Sequence, residues 1–299
     1  MYKYWAFGLY IESAIEFPEL LPSLFEQADI TVLTGTVPLQ LANPALAVFD
    51  QAQVNETEYL LEVTDISKYY AASGKIIIVE PLADVAPRSI RLYLLATVMA
   101  AILQQRNRIP LHASGILLNE QLVLFAGHSG AGKSTLLSGL MKKGYQVFSD
   151  DVVVLQEQHG SIYALPSYPM IKLWENAMDY LNDDRFSQKD FEVKPGMDKY
   201  GVFYHEQFDT RAYPIKHIIL LEAATIADYN VQPLQNAAIF YELCKQVYRP
   251  HLLQGNNMLV THFKQLTQLC QQARFTKIIR PANSIDPTIL LNMVCNLLV

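Results

Sequence analysis

Residues 127–134 read Gly-His-Ser-Gly-Ala-Gly-Lys-Ser and match GxxxxGK[ST] at every fixed position. Glycines let such a backbone wrap so that successive N–H groups point inward at phosphate oxygens. A helix starting near Lys133 adds the positive end of its dipole. The lysine reaches the outer phosphates, and the hydroxyl after it is placed to ligate Mg2+. The pattern needs a strand before it and a helix after it. Leu122-Val-Leu-Phe125 and Lys133–Lys143 supply both, and Gly144 stops the helix. The chain is therefore read as α/β. Gly127, His128, Ser129, Gly130, Ala131, Gly132, Lys133, Ser134 and Thr135 are expected to contact the phosphates of a nucleotide.

The flanking sequence adds groups suited to proton and metal chemistry. Ile116-Leu-Leu118 and Leu122–Phe125 enclose Asn119-Glu120-Gln121, a connection that fits an antiparallel hairpin. His112 stands ahead of it, in Leu111-His-Ala-Ser-Gly115. Beyond the helix, Asp150 and Asp151 lie between two strand-like runs, Tyr145–Phe148 and Val152–Leu155. Adjacent carboxylates among valines are costly unless each has a partner or a task. They form either a polar turn or a division of labour, one holding Mg2+ and the other accepting a proton from an attacking hydroxyl. His112 is either a satisfied structural histidine or a group that tunes such a carboxylate or carries the proton itself. Lys199, in Met197-Asp-Lys-Tyr-Gly201, is either a solvated loop lysine or a contact for a substrate or phosphate oxygen. Arg249 and Arg280, each followed by proline, bind an anion or serve the structure.

Composition narrows the class of partner. The chain has 299 residues, 51% of them hydrophobic and 17% charged, with a net charge of −6, which excludes disorder and disfavours a broad nucleic-acid footprint. The longest apolar run, Leu92–Leu103, is twelve residues and too short for a bilayer span. The N-terminal residues carry one early lysine, then acids, and do not read as a signal peptide. Cys244, Cys270 and Cys295 are widely spaced within apolar segments, as buried free thiols in a reducing compartment would be. The expectation is a cytoplasmic protein with no membrane and no nucleic-acid partner. Residues 1–85, with short β-branched and aromatic runs, read as a small β-rich segment, and 86–299 as the domain carrying the chemistry. Arg88–Arg106 reads as one buried helix.

The stretch from Leu111-His-Ala-Ser-Gly115 through Gly127–Ser134 to KKGYQVFSDDVVVL resembles the catalytic domain of bacterial HPr serine kinase/phosphorylase. That domain is similar to phosphoenolpyruvate carboxykinase, so the resemblance implies a P-loop kinase core of that type. The order of histidine, hairpin, phosphate loop, helix, glycine and Asp-Asp carries it over about residues 108–160. The family's second glycine-rich signature is not found in full form; Glu175 is a stand-in for its glutamate. Residues 1–85 do not resemble the usual N-terminal domain. WAFGLYIESAIEFPEL (from Trp5), Gly74–Ser114 and the late Ile278-Ile-Arg-Pro281 are similar instead to the shorter HPr kinase-like proteins of lasso-peptide and other ribosomal peptide biosynthesis.

The resemblance implies ATP and Mg2+ as cofactors. It implies that Lys133 contacts the transferred phosphate, that Asp150 is the general base assisted by His112, and that Ser134 and Asp151 hold Mg2+. It implies a serine kinase acting on a precursor peptide, at the C-terminal serine of a lasso-peptide precursor. A homo-oligomer is compatible with this reading. Competing readings are a non-catalytic nucleotide-sensing module that binds a peptide, an HPr-type protein kinase, and a carboxykinase-type enzyme for a small metabolite. The pair Asp150-Asp151 together with His112 speaks against the pure binder, which needs no proton acceptor.

Overall fold

The computed structural model describes every residue except 182, 183, 185–188, 190, 256, 257, 284, 285 and 299. Turns at left-handed residues fix the first hairpins. Phe7 and Gly8, at φ 55° and 72°, fold β1 (Tyr2–Ala6) back on β2 (Leu9–Ser13), with Ala6 opposite Leu9. The apolar run Phe7–Ile11 is thus cut by a turn. Further along come β3 (Leu21–Pro22), β4 (Ile30–Thr34), β5 (Ala47–Phe49), β6 (Ala52–Val54), β7 (Glu58–Val63), β8 (Ser67–Ala72) and β9 (Ile76–Pro81). Ser73 and Gly74, at φ 52° and 64°, turn β8 into β9. The nine strands form one sheet in the order β3-β1-β2-β4-β9-β8-β7-β6-β5.

This sheet belongs to the first of two compact units, Met1–Pro110 with Val193–Met197 and Val247–Lys264. Its helical segment follows the sheet in sequence: α1 (Pro87–Tyr93), a π-helical stretch Leu94–Val98, and α2 (Met99–Gln105). The single helix expected over Arg88–Arg106 therefore carries a wider turn in its middle. Leu94, Leu95, Thr97 and Val98 are all buried in that turn. Two polar groups are locked inside this unit. Arg91 donates through Nε to both oxygens of Glu19, at 2.8 and 3.0 Å. Glu58 accepts from the backbone N–H groups of Ala42 and Asn43, from Asn55 Nδ2 and from the Tyr70 hydroxyl.

The second unit is Leu111–Glu192, Asp198–Gln246 and Gln265–Val299. After β10 (Ile109–Leu111), which starts before the boundary, β11 (Ala113–Leu118) and β12 (Gln121–Ala126) form an antiparallel hairpin. Asn119 and Glu120, at φ 49° and 59°, make its two-residue turn, and Gln121 already pairs with Leu118. The three-residue connection expected from sequence is one residue shorter, because two left-handed residues match the strand twist. Beyond α3 (Lys133–Lys142) come β13 (Gln146–Ser149), β14 (Val153–Gln158), β15 (Ser161–Pro166), β16 (Met170–Trp174), α4 (Glu175–Leu181), β17 (Lys199–Phe203), β18 (Tyr213–Ala224), β19 (Asn230–Pro233), α5 (Ala237–Cys244), α6 (Leu259–Gln272), β20 (Arg274–Pro281) and α7 (Pro287–Leu297). Helix α5 ends at Cys244, while β18 and β20 run over twelve and eight residues.

The main sheet here runs β14-β15-β18-β12-β11-β13, with β20 parallel to β18 on its other pairing edge. Strand β12 lies parallel to β18, and β11 is antiparallel to both β12 and β13. Helices α3 and α7 pack with β11, β12 and β18 around Phe125, Leu136, Leu137, Leu140, Leu290 and Val294. Gly139 allows this approach, since a Cβ there would lie 3.1 Å from Leu291 Cδ2. The architecture is mixed α/β. Among the described residues, no helix is long and apolar enough to cross a membrane.

Candidate active site

Residues 127–132 link the buried end of β12 to the first turn of α3. Gly127 is required by space: a Cβ at this position, where φ is 151°, would collide with the Leu221 carbonyl oxygen of the neighbouring strand β18. Gly130 and Gly132 hold left-handed φ values of 83° and 105°. Arg280, at the end of β20, braces the loop by donating from Nη2 to the Gly130 carbonyl (2.9 Å) and from Nε to that of Ala131 (3.2 Å). Lys133 is buried, and its ammonium donates to the carbonyls of Gly127 (2.6 Å) and His128 (3.2 Å). Burial pulls its pKa down, against the charges of Asp151 and Asp150, which raise it.

The two aspartates sit in the connection between β13 and β14 and have different company. Asp150 is almost fully buried. It accepts from the Ser114 hydroxyl at 2.6 Å, from the Ser134 hydroxyl at 3.1 and 3.2 Å, and from the Lys172 backbone N–H at 2.9 Å. Asp151, on a backbone with φ 68°, has other partners. Its Oδ2 accepts from Lys172 Nζ at 2.7 Å, and its Oδ1 lies 3.4 Å from His112 Nδ1. Burial alone would raise the Asp151 pKa, but the Lys172 ammonium, then His112 and Lys199, hold it well below the usual carboxylate range.

His112 Nδ1 also lies 2.9 Å from the Asp151 carbonyl oxygen. A carbonyl can only accept, so Nδ1 carries the proton and Nε2 of the neutral ring is left as the acceptor. Burial pushes the His112 pKa down, opposed chiefly by Asp151. His112 therefore favours the neutral form at pH 7.

These groups surround a cavity of about 420 Å3 in the second unit. His112, Ser129, Gly130, Gly132, Lys133, Ser134, Thr135, Asp151 and Lys199, all named from sequence, line it. Gly127, His128, Ala131 and Asp150 are not among the residues that line it. Glu175 does not reach the cavity lining and pairs instead with Lys189 at 2.7 Å. Sequence reasoning did not single out Ser114, Lys172, Trp174 or Tyr229. Ser114 had a signal: two residues beyond His112 along an extended chain, it faces the same side. Lys172, a lone lysine within Met170-Ile-Lys-Leu-Trp174, is held in β16, whose partner β17 sets Lys199 opposite Trp174. There the Lys199 ammonium lies over the half-exposed indole, 5.5 Å from its centre.

The oxygen donors suit a hard divalent cation. Ser134 Oγ and the Asp150 carboxylate are adjacent, and Mg2+ characteristically takes one or two protein oxygens and completes its shell with phosphate and water. Among the described residues, no group of three or more His, Cys, Asp or Glu side chains could hold a metal without such help. The expected pairings are exchanged: Ser134 meets Asp150 rather than Asp151, and His112 meets Asp151 most closely. The expected pairing came from the resemblance, whereas the observed one follows from which side chains reach each carboxylate in the turn, where Asp151 has a left-handed φ of 68°.

No family model matches the chain, and no curated protein does. Among solved structures it is similar to the HPr(Ser) kinase/phosphatase from Coxiella burnetii. The two share 14% identity over 62% of this chain and 88% of that one, with a TM-score of 0.29.

Proposed function

We propose that this chain is an ATP- and Mg2+-dependent kinase that phosphorylates a serine hydroxyl of a peptide, the C-terminal serine of a lasso-peptide precursor. One observation carries the reading. A glycine-rich loop and an aspartate held by histidine and lysine line one cavity, and a second aspartate is bonded to the loop serine that faces it. A nucleotide-sensing module would need only the first of these.

The roles follow from the partners of each group. The N–H groups of residues 127–134 and the Lys133 ammonium bind the phosphates, the ammonium leaving the Gly127 and His128 carbonyls to do so. Ser134 and Asp150 hold Mg2+, which when bound neutralises charge on the transferred phosphoryl group. Asp151 orients the acceptor hydroxyl and takes its proton. A carboxylate with so low a pKa is a weak base, which suits a transfer whose attacking oxygen gains little bonding before the leaving group departs. His112, through Nδ1–H, holds the Asp151 carbonyl and with it the turn. Lys199, over Trp174 in the cavity lining, contacts the peptide.

The test is mass spectrometry of the precursor peptide after incubation with the protein and MgATP. Gain of one phosphoryl group on serine, lost in Asp151→Asn, supports the reading. ATP binding without transfer to any serine peptide points to the sensing module and overturns it.

A further inference from the structure

We propose that Lys172 is a positioning residue that serves as the built-in counter-cation of Asp151, keeping this carboxylate out of the metal shell so that the divalent ion binds with the nucleotide rather than before it. The inference rests on the kinase reading above.

Two adjacent carboxylates, one lining the cavity and one buried beside it, would, left to themselves, act together on a divalent cation. Lys172 separates them with two different atoms. Its backbone N–H donates to Asp150 Oδ2 at 2.9 Å, and its ammonium meets Asp151 Oδ2 at 2.7 Å. The lysine side chain is only 10% exposed, and the ammonium also lies over the Tyr168 ring, 5.8 Å from its centre. It is therefore held in place rather than hydrated, and its attraction for Asp151 is little screened.

The hydrogen-bond donors on Asp150 are all neutral: two hydroxyls and one backbone N–H. Its negative charge remains available beside Ser134. Asp151 has its charge matched by Lys172 and is aimed along with His112. The assignment of one aspartate to the metal and the other to the acceptor is thus made by a residue on β16, outside both the loop and the Asp-Asp turn. With Asp151 neutralised, one carboxylate and one hydroxyl are too few to retain a divalent ion against water. Nucleotide phosphates supply the missing oxygens.

The experiment measures Mn2+ binding to the intact chain by the loss of the free-ion paramagnetic resonance signal, with and without ATP. Wild type should bind Mn2+ weakly alone and tightly with ATP. Lys172→Met should bind Mn2+ without ATP about tenfold more tightly, because Asp151, without the Lys172 ammonium, can then join Asp150 in holding the ion. Lys172→Arg should behave as wild type, and Lys172→Met/Asp151→Asn should lose the gain. A purely structural lysine would give no gain in metal affinity for the second substitution to reverse.

If Lys172→Met does not fold, Asp150→Asn and Asp151→Asn decide in its place. The first should weaken MnATP binding by about thirtyfold and the second by no more than about threefold. Equal losses overturn the inference. So does Lys172→Met binding Mn2+ alone no more tightly than wild type while MnATP binding persists. Wild type that binds no MnATP at all overturns the kinase reading itself, and the inference with it.

Discussion

Replacing Glu58 by glutamine should destabilise the first unit at neutral pH and should cease to matter in acid. The carboxylate is buried at 4% exposure. Burial would raise its pKa, but hydrogen bonds from Asn55, Tyr70 and the backbone of Ala42 and Asn43 lower it from 4.5 to about 2. The folded state thus prefers the ionised group. A fall of that size corresponds to roughly 3 kcal/mol of stability at pH 7. The sign follows from the depressed value: the contribution is complete above the unfolded pKa of 4.5 and is lost as pH falls towards 2.

Glutamine preserves the volume but presents an NH2 group to a site built from donors. At least one of the Asn43, Asn55 and Tyr70 contacts is broken, with a cost of about 1–3 kcal/mol per orphaned buried donor. Urea unfolding of both proteins at pH 7, 4.5 and 3, followed by far-ultraviolet circular dichroism, measures the difference. It should be about 3 kcal/mol at pH 7 and should shrink steadily between pH 4.5 and 3. A difference that stays constant with pH would refute the argument, since the loss would then be one of packing and not of charge.

Three further outcomes are expected. Gly127→Ala, whose methyl group would overlap the Leu221 carbonyl oxygen, should abolish ATP binding in calorimetric titration, with a clear loss of thermal stability; unchanged affinity contradicts the loop geometry. Arg280→Met should lower ATP affinity by about tenfold without unfolding the chain, because it removes two charge-assisted bonds to the loop carbonyls; equal titrations would show that the loop needs no brace. Arg91→Met should cost about 3–5 kcal/mol by leaving Glu19 buried and unpaired, and Glu19→Leu in the same chain should recover most of it; a double variant no more stable than the single would contradict this.

The loop at 127–134 was legible because its chemistry is local: the residues that wrap a phosphate are consecutive. His112 and the Asp150-Asp151 pair were legible as polar groups among apolar strands. Their pairing was not, because it is set by side chains from distant segments, Ser114, Lys172 and His112, that the fold brings to the turn. Lys172 was missed since an isolated lysine in an apolar strand has no spacing to mark it. Only the return of β16 beside the aspartate turn gives it meaning. The interruption at Leu94–Val98 was hidden because apolar residues fill that stretch almost continuously, so the periodicity could not report a change of pitch. Phe7 and Asn119-Glu120 show the same limit at turns: side-chain character suggested strand or loop, whereas backbone handedness set where each strand ended.

The β11–β12 hairpin sets a local scale for the cavity. Ala113 pairs with Ala126, so the segment just after His112 runs beside the segment just before Gly127, and the far ends of the two strands are tied by Asn119 and Glu120. Insertion of one residue at that turn, on the outer end of the hairpin, would be expected to slide one strand against the other by about 3.4 Å and turn its side chains over. The histidine and the glycine loop would then part company, though neither had been altered. A surface turn, ordinarily a tolerant place for length variation, is here the calibration point of the site, and its two-residue length should be as restricted as any side chain in the cavity.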